Sequence, residues 1–187
     1  MTLINITLPD GTVNEYAAGI TCAEVITDAL GRKHGCLAAR IDGEECDLSR
    51  MLDTDCAVEG ILTDSDEGIH ILRHSASHLL AQAVMALYPD AKPTIGPAID
   101  RGFYYDFAME PIAESDLKPI QKKMQEIARK NFTVERVELS DEELQQHFAH
   151  NPYKLEIIND KIEDGGGSTI YKQGEWYDSC LGPHVPN

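Results

Sequence analysis

Hydrophobic and polar residues alternate through the first 62 residues in a pattern that predicts a small mixed α/β module. The stretch INITLPDGTVNEY alternates on both sides of the turn triplet PDG at 9–11, which predicts a β-hairpin. The motif TCAE at 21–24 is a capping box and predicts a helix that ends at Gly31. The segment CLAARIDGEECDL predicts two strands around Asp42-Gly43, and a last strand is expected at 57–62. This order predicts a small mixed sheet packed on one helix.

A polar linker, TDSDEG at 63–68, separates this module from a second pattern with helical spacing. Residues 69–88 predict a long helix that Pro89 ends. Its predicted apolar stripe consists of Leu72, Ala76, Leu79, Leu80, Ala83 and Leu87. The pattern therefore predicts two α+β domains, at residues 1–62 and 63–187.

The remaining residues alternate between short strand and helix patterns. A turn and a strand are expected through the aromatic run FYYDF at 103–107, and a helix at 117–131. A capping box, SDEE at 140–143, predicts another helix that ends before Asn151-Pro152. We expect a strand at 153–158, a loop or tight turn in GGGS at 165–168, and a hairpin from 170–172 and 176–179.

The charge of the chain disfavours a general nucleic-acid-binding surface. Its 16 Lys and Arg face 32 Asp and Glu, which gives a net charge of −16, and neutralising phosphates needs a basic surface. A basic cluster lies on the predicted helix at 117–131 and is either a solvated helix face, the simpler interpretation, or a local RNA-binding patch. It consists of Lys118, Lys122, Lys123, Arg129 and Lys130.

Neither an export signal nor a membrane span is indicated. The N-terminus lacks the basic and apolar regions of a signal peptide, and no run approaches the roughly 20 apolar residues that cross a bilayer. The five cysteines are an odd number without tight spacing, so they predict free thiols in a reducing compartment.

Two pairs of side chains carry the candidate chemistry. His74 and His78 lie four residues apart and share one helix face, placed by the helical period away from the apolar stripe. Cys180 and His184 lie in a loop, because the Gly-Pro step between them cannot sit inside a helix. The set is typical of a tetrahedral zinc site and equally of a metal-free hydrolytic pocket in which imidazoles move protons. Spacing does not separate these alternatives, and unconnected histidines are a third.

Three blocks around these residues resemble the threonyl-tRNA synthetase family. They are HSASHLLAQAV at 74–84, TIGPAIDRGFYYDF at 94–107 and YDSCLGPHVPN at 177–187. Residues 1–62 resemble that family's TGS domain, a ubiquitin-like β-grasp, and residues 63–187 resemble its editing domain. The His-x3-His and Cys-x3-His pairs are shared with alanyl-tRNA synthetases, whereas the GFYYDF and CLGPHVPN runs favour the threonyl enzymes.

The resemblance implies a proofreading function. The expected reaction is hydrolysis of the seryl ester on the 3′ end of threonine tRNA, because one missing methyl group is worth only about 1–3 kcal/mol of discrimination in a synthetic site. The implied catalytic set is His74, His78, Lys154, Asp178, Cys180 and His184. His74 and Lys154 are expected to handle the attacking water and the leaving ribose oxygen. Tyr105 and Gly96 are expected to contact the substrate, although Tyr105 could be a core residue and Asp178 only the ion-pair partner of Lys154.

The resemblance also implies what else the parent enzyme needs. The editing site of the family works without a metal, so no cofactor is expected in this part; zinc, ATP and Mg²⁺ belong to a synthetic domain outside it. The chain is expected to be a cytoplasmic, monomeric N-terminal fragment of a homodimeric ligase, unable to charge tRNA. A zinc-dependent deacylase of the alanyl type, with His74, His78, Cys180 and His184 as ligands, and a non-catalytic RNA- or protein-binding module are the alternatives.

Overall fold

The computed structural model describes residues 2–165 and 167–187 and confirms the predicted α+β class. The described residues form two compact units, one of residues 2–72 with 182–186 and the other of residues from 73 to 181 with 187. Part of the predicted GGGS loop, Gly166, lies outside the described residues. In the residues described, no helix has both the length and the apolar composition that a bilayer crossing requires.

The first unit is a mixed sheet with one helix packed on it, as the sequence predicted. Its five-stranded sheet has the order β2-β1-β7-β4-β5, in which β1 and β7 are parallel and the other neighbours antiparallel; β3 and β6 pair separately. The elements are β1 (Leu3–Thr7), β2 (Val13–Ala17), β3 (Ile20–Thr21), α1 (Cys22–Leu30), β4 (Cys36–Ile41), β5 (Glu44–Cys46), β6 (Met51–Leu52) and β7 (Cys56–Leu62).

Local signals in the sequence form this unit. Thr21 caps α1 through a complete capping box with Glu24, and Gly31 ends the helix with a φ of 80°. The turn between β4 and β5 places Asp42 and Gly43 at φ 50° and 91°, which the Asp-Gly pair tolerates. The predicted hairpins and helix are therefore confirmed, and the last strand begins one residue earlier than expected.

The core of the first unit lies between the sheet and α1. Ile4 and Ile6 of β1 face Val25 and Ile26 of α1, and all four are almost fully buried. The segment 182–186 belongs to this unit as well: Val185 packs against the cluster of Leu37, Ala38, Ile61 and Ile71, and the backbone N–H of His184 donates to Asp47 Oδ1 at 2.9 Å.

Helix α2 (Asp66–Leu87) begins in the residues of the first unit and continues in those of the second. Its first turn is tight, because a Cβ on Gly68 would lie 1.9 Å from the carbonyl oxygen of Leu62. The Ser65 hydroxyl accepts the Gly68 N–H at 3.0 Å and satisfies one backbone donor of that turn.

The second unit packs helices on short antiparallel sheets. Strands β12, β13 and β14 form a three-stranded sheet, β9 pairs with β10, and β8 pairs with β11. Its elements are β8 (Lys92–Pro93), β9 (Ala98–Ile99), β10 (Gly102–Phe103), β11 (Phe107–Ala108), a 3-10 turn (Glu114–Asp116), α3 (Leu117–Arg129), β12 (Val134–Glu138), α4 (Asp141–His147), α5 (Pro152–Glu163), β13 (Thr169–Gln173) and β14 (Trp176–Ser179).

The expected strand at 153–158 is wrong, because these residues form α5. The preceding helix α4 already ends at His147, and the Asn151-Pro152 pair starts α5: the Asn151 side chain accepts the Lys154 N–H, and Pro152 occupies the first turn, where no N–H is needed. Leu155, Ile158 and Ile162 recur at helical spacing and pack on one apolar cluster with Leu144, Phe148 and Ile170.

Two further elements differ from the sequence prediction. The aromatic run at 103–107 is not one strand, because β10 ends at Phe103, β11 starts at Phe107, and Tyr105 lies in the connection between them. Strand β12 was not predicted, and it forms the edge of the sheet beside β13. The predicted helices at 117–131 and after 140, and the hairpin of β13 and β14, are confirmed.

Candidate functional site

Helix α2 presents His74 and His78 one turn apart, with their rings edge to face and the centroids 5.1 Å apart. The expectation that this face lies away from the core contacts is wrong. His78 is only 6% exposed, whereas Leu72, assigned to the apolar stripe, is 46% exposed. The buried arc of the helix is wider than its apolar residues indicate, since polar Ser77 and Gln82 are also buried.

Strand β14 supplies the groups that bury the histidine face. Trp176 and Asp178 are two residues apart and share one face of the strand. The Trp176 ring meets the His78 ring edge to face with the centroids 5.5 Å apart, and Asp178 Oδ2 lies 4.0 Å from His78 Nε2. Tyr177 points to the other face and packs on the Leu144 cluster, which fixes the strand's orientation.

A buried ion pair forms the centre of the site. Lys154 Nζ of α5 lies 2.7 Å from Asp178 Oδ1, and both side chains are less than 5% exposed. The Tyr105 hydroxyl donates to Asp178 Oδ2 and accepts from Lys154 Nζ at 3.2 Å. The Ser179 N–H also donates to Asp178 Oδ1 at 2.8 Å. These hydrogen bonds offset part of the cost of removing two charges from water.

Asn151 positions Lys154 and was not identified from the sequence. It is 1% exposed; its side-chain oxygen accepts the Lys154 N–H at 3.2 Å, and its side-chain amide donates to the Pro93 carbonyl at 2.6 Å. The cap therefore fixes both the start of α5 and its distance from β8. An Asn-Pro pair three residues before a candidate lysine was the available signal.

Gly96 leaves room for the ring of Tyr105. A Cβ at this position would lie 2.1 Å from Tyr105 Cδ2, so the tyrosine ring occupies the space that a side chain would need. The close approach expected between this backbone and a substrate is, in the structure, an approach to Tyr105. The Ser77 hydroxyl lies 2.6 Å from the Gly96 carbonyl oxygen and 2.8 Å from that of His74, which joins this segment to α2.

Cys180 follows β14 directly and completes the part of the site formed by the second unit. Its carbonyl accepts a hydrogen bond from the Thr169 hydroxyl on β13. One donor atom each from His74, His78 and Cys180 lies within 4.8 Å of the others, so these three could hold a metal ion. His184 lies four residues farther along, in the segment 182–186 of the first unit, with its side chain buried. Its place beside the other three stays a prediction.

The environment sets the protonation of two side chains. Burial lowers the pKa of His78 well below its usual value, and His74 and Lys154 lower it further, so the imidazole is neutral at pH 7. Burial raises the pKa of Tyr105, and the charge of Asp178 adds to this effect, so its hydroxyl keeps its proton. The site thus combines a neutral imidazole and a phenol donor with a buried ion pair.

We expect Gly96→Ala to destabilise the protein by about 1–3 kcal/mol, because the new methyl group overlaps the Tyr105 ring. Urea unfolding measures the loss. Gly167→Ala is the control, since a Cβ there meets no atom within 4 Å. Equal stability of the two variants would show that the ring moves freely and does not need Gly96.

The free energy of unfolding should fall as the pH drops below about 6.5, the unfolded value for histidine. In this range the unfolded chain takes up a proton at residue 78, whereas the folded chain resists it because the pKa of His78 is lowered. The slope is at most about 1.4 kcal/mol per pH unit for one proton. His78→Gln should flatten the profile between pH 7 and 5; parallel profiles for both proteins would refute the assignment.

Comparisons with known proteins show what the chain is similar to. The TGS domain family matches residues 4–63. A threonine–tRNA ligase of Streptococcus suis strain 05ZYH33 is 47% identical over 190 aligned positions, and one of Streptococcus pneumoniae strain D39 is 43% identical; each alignment covers 99% of this chain. The chain spans 29% of the length of these curated relatives. By sequence, almost the whole chain is therefore similar to the N-terminal part of the threonine–tRNA ligases, and its residues 4–63 match the TGS domain family.

Proposed function

We propose that residues 63–187 are an editing domain that hydrolyses seryl-tRNA(Thr), the mischarged product of threonine tRNA. The observation that carries this proposal is the buried Lys154–Asp178 pair beside a neutral His78, in a chain similar over 99% of its length to threonine–tRNA ligases. A buried imidazole with a lowered pKa, as His78 has, is typical of a functional site. In this proposal, the part of the ligase outside this chain uses ATP to charge tRNA with threonine and forms the dimer.

Serine is the expected substrate because it is the amino acid that a threonine site rejects least well. A missing methyl group is worth about 1–3 kcal/mol, or 10–200-fold, so a second site that admits serine and excludes threonine raises the accuracy. The contact of Gly96 with Tyr105 supports such a size limit, because the packed ring cannot retreat towards the backbone. We assign Tyr105 and Gly96 to the wall that excludes the threonine methyl.

Lys154 is proposed to stabilise the leaving ribose oxygen and deliver a proton to it. Its Nζ is held at one point by Asp178 and the Tyr105 hydroxyl, so no reorganisation is needed as negative charge develops on the oxygen. Asp178 holds the ammonium group, and its second oxygen is already engaged by Tyr105. In this proposal the Asp178 carboxylate is therefore both the ion-pair partner of Lys154 and a member of the catalytic set.

His74 is proposed to orient the attacking water and accept its proton. It is less buried than His78, and its ring lies against that neutral imidazole, which fixes its position. His78, Cys180 and His184 are proposed to hold the amino acid. In this mechanism water adds to the ester carbonyl, the bond to the ribose oxygen breaks, and serine and tRNA with a free hydroxyl leave.

Zinc-dependent hydrolysis is the second candidate, and the observation in its favour is the set of imidazole and thiol donors at the site. Imidazole and thiolate are preferred zinc ligands, and His74, His78 and Cys180 already lie within reach of one ion. With His184 as a fourth ligand the set would be complete, or the fourth position would hold a water. The ion would then supply the charge that Lys154 supplies in the metal-free mechanism.

The full chain should hydrolyse seryl-tRNA(Thr) and leave threonyl-tRNA(Thr) largely intact. Loss of a positioned proton-transfer group costs about 10²–10⁴-fold, so His74→Ala and Lys154→Ala should slow release of labelled serine by that factor. His70→Ala is the matched control, because His70 lies one turn earlier on α2 and is exposed. Activity that survives both site substitutions would disprove the proposal.

Elemental analysis decides between the two mechanisms. In protein purified without chelator, the metal-free mechanism predicts far less than one zinc per chain and a deacylation rate that EDTA leaves unchanged. The zinc-dependent alternative would be established by about one zinc per chain that is lost in Cys180→Ala, together with activity of the unchanged protein that EDTA removes and added zinc restores.

A further inference from the structure

A second concave site has Trp176 in its lining and none of the histidines. It has a volume of about 390 Å³, within the range of small-molecule sites, and all of its lining belongs to the second unit. Its walls are α2, α3, the segment after α3 and the turn between β13 and β14. The lining residues the argument uses are Gln82, Lys123, Glu126, Lys130, Phe132 and Trp176. We call it the Trp176 groove.

Among the described residues, Gln82 Oε1 is a buried acceptor with no hydrogen-bond partner. The side-chain amide nitrogen of Gln82 donates to the Gln173 carbonyl at 3.1 Å, which fixes the orientation of the amide group. The residue as a whole is only 9% exposed. A buried acceptor left unsatisfied costs about 1–3 kcal/mol, so a ligand that brings an N–H donor would gain that amount. The groove therefore fits a ligand with an amine or ring N–H.

Aromatic and cationic groups line the same groove. Trp176 and Phe132 supply flat apolar surfaces, and a Cβ on Gly174 would lie 3.1 Å from Phe132, so that ring is closely packed. Lys130 Nζ lies over the Phe132 ring, 5.8 Å from its centroid. Lys123 is paired with Glu126 at 2.8 Å, so Lys130 is the cation that the groove offers to an anion.

We infer that the Trp176 groove binds an unpaired nucleotide of RNA, with its base on Trp176 and Phe132, its N–H on Gln82 and its phosphate on Lys130. Aromatic stacking is the usual way in which proteins hold single-stranded bases, and it tolerates every base. The inference rests on the proposed function for the identity of the RNA, since Trp176 also contacts His78. It gives the basic cluster of α3 a local role in an acidic chain.

Trp176 is the only tryptophan of the chain, so its fluorescence reports on the groove. We expect the full chain to show saturable quenching when titrated with the single-stranded RNA hexamer ACACAC. A blunt-ended RNA hairpin, whose bases are paired, should quench little. Equal quenching by the hairpin, or none by the hexamer, would overturn the inference.

Variants locate the bound nucleotide. Gln82→Met should weaken hexamer binding about tenfold by removing the acceptor. Lys130→Ala should weaken it and reduce the salt dependence by about one phosphate contact. Lys118→Ala is the control on the same helix, exposed and outside the groove. Because Gln82→Met also removes the bond to Gln173, Lys130→Ala and Phe132→Leu provide independent tests; binding unchanged in both would refute the groove.

The outcome is separable from that of the proposed function. His74→Ala should bind the hexamer like the unchanged protein, since His74 does not line the groove. A chain that binds the hexamer through Lys130 but releases no serine would refute only the editing proposal. A chain that releases serine at the same rate and apparent KM in Lys130→Ala and Phe132→Leu would refute only the nucleotide groove.

Discussion

The second unit depends on burying one lysine and one aspartate together. Removing both charges of Lys154 and Asp178 from water costs several kcal/mol per ion, and only close pairing with further hydrogen bonds recovers it. Removing one partner of such a pair costs about 3–5 kcal/mol, because a charge is left buried alone. The Tyr105 hydroxyl and the Ser179 N–H complete the pair, so α5, β14 and the connection before β11 must all arrive at the same point.

Several residues with no charge of their own serve this constraint. Asn151 starts α5 at the residue that brings Lys154 into reach, and it joins the helix to the strand at Pro93. Gly96 makes room for the Tyr105 ring, and Ser77 joins that segment to α2. The same arrangement lowers the pKa of His78, because the burial that encloses the pair also encloses the imidazole. The burial of the ion pair and the neutral state of His78 therefore have the same structural origin.

Local signals predicted the first unit well and the second unit less well. The capping box at Thr21 and the Asp42-Gly43 turn are short-range and specify their elements by themselves. The errors have two origins. The Asn151-Pro152 pair is a local helix-start signal that the expected strand at 153–158 overlooked, whereas His78 is buried by a tertiary contact with Trp176, from a strand nearly 100 residues away. Motif resemblance named Lys154, Asp178 and Tyr105, but their network is not readable from spacing, nor is the role of Asn151 in it.

The pairing of β1 with β7 has a consequence for the order in which the protein folds. Ile6 lies opposite Cys56, so the centre of the first sheet joins strands separated by about 50 residues and cannot close until β7 has left the ribosome. Val185 then adds to the cluster of Leu37 and Ile61 far later still. The second unit consists of residues 73–181 with residue 187. The first unit, although most of it is translated first, is thus completed only by residues 182–186, and until then it exposes the apolar surface that Val185 covers.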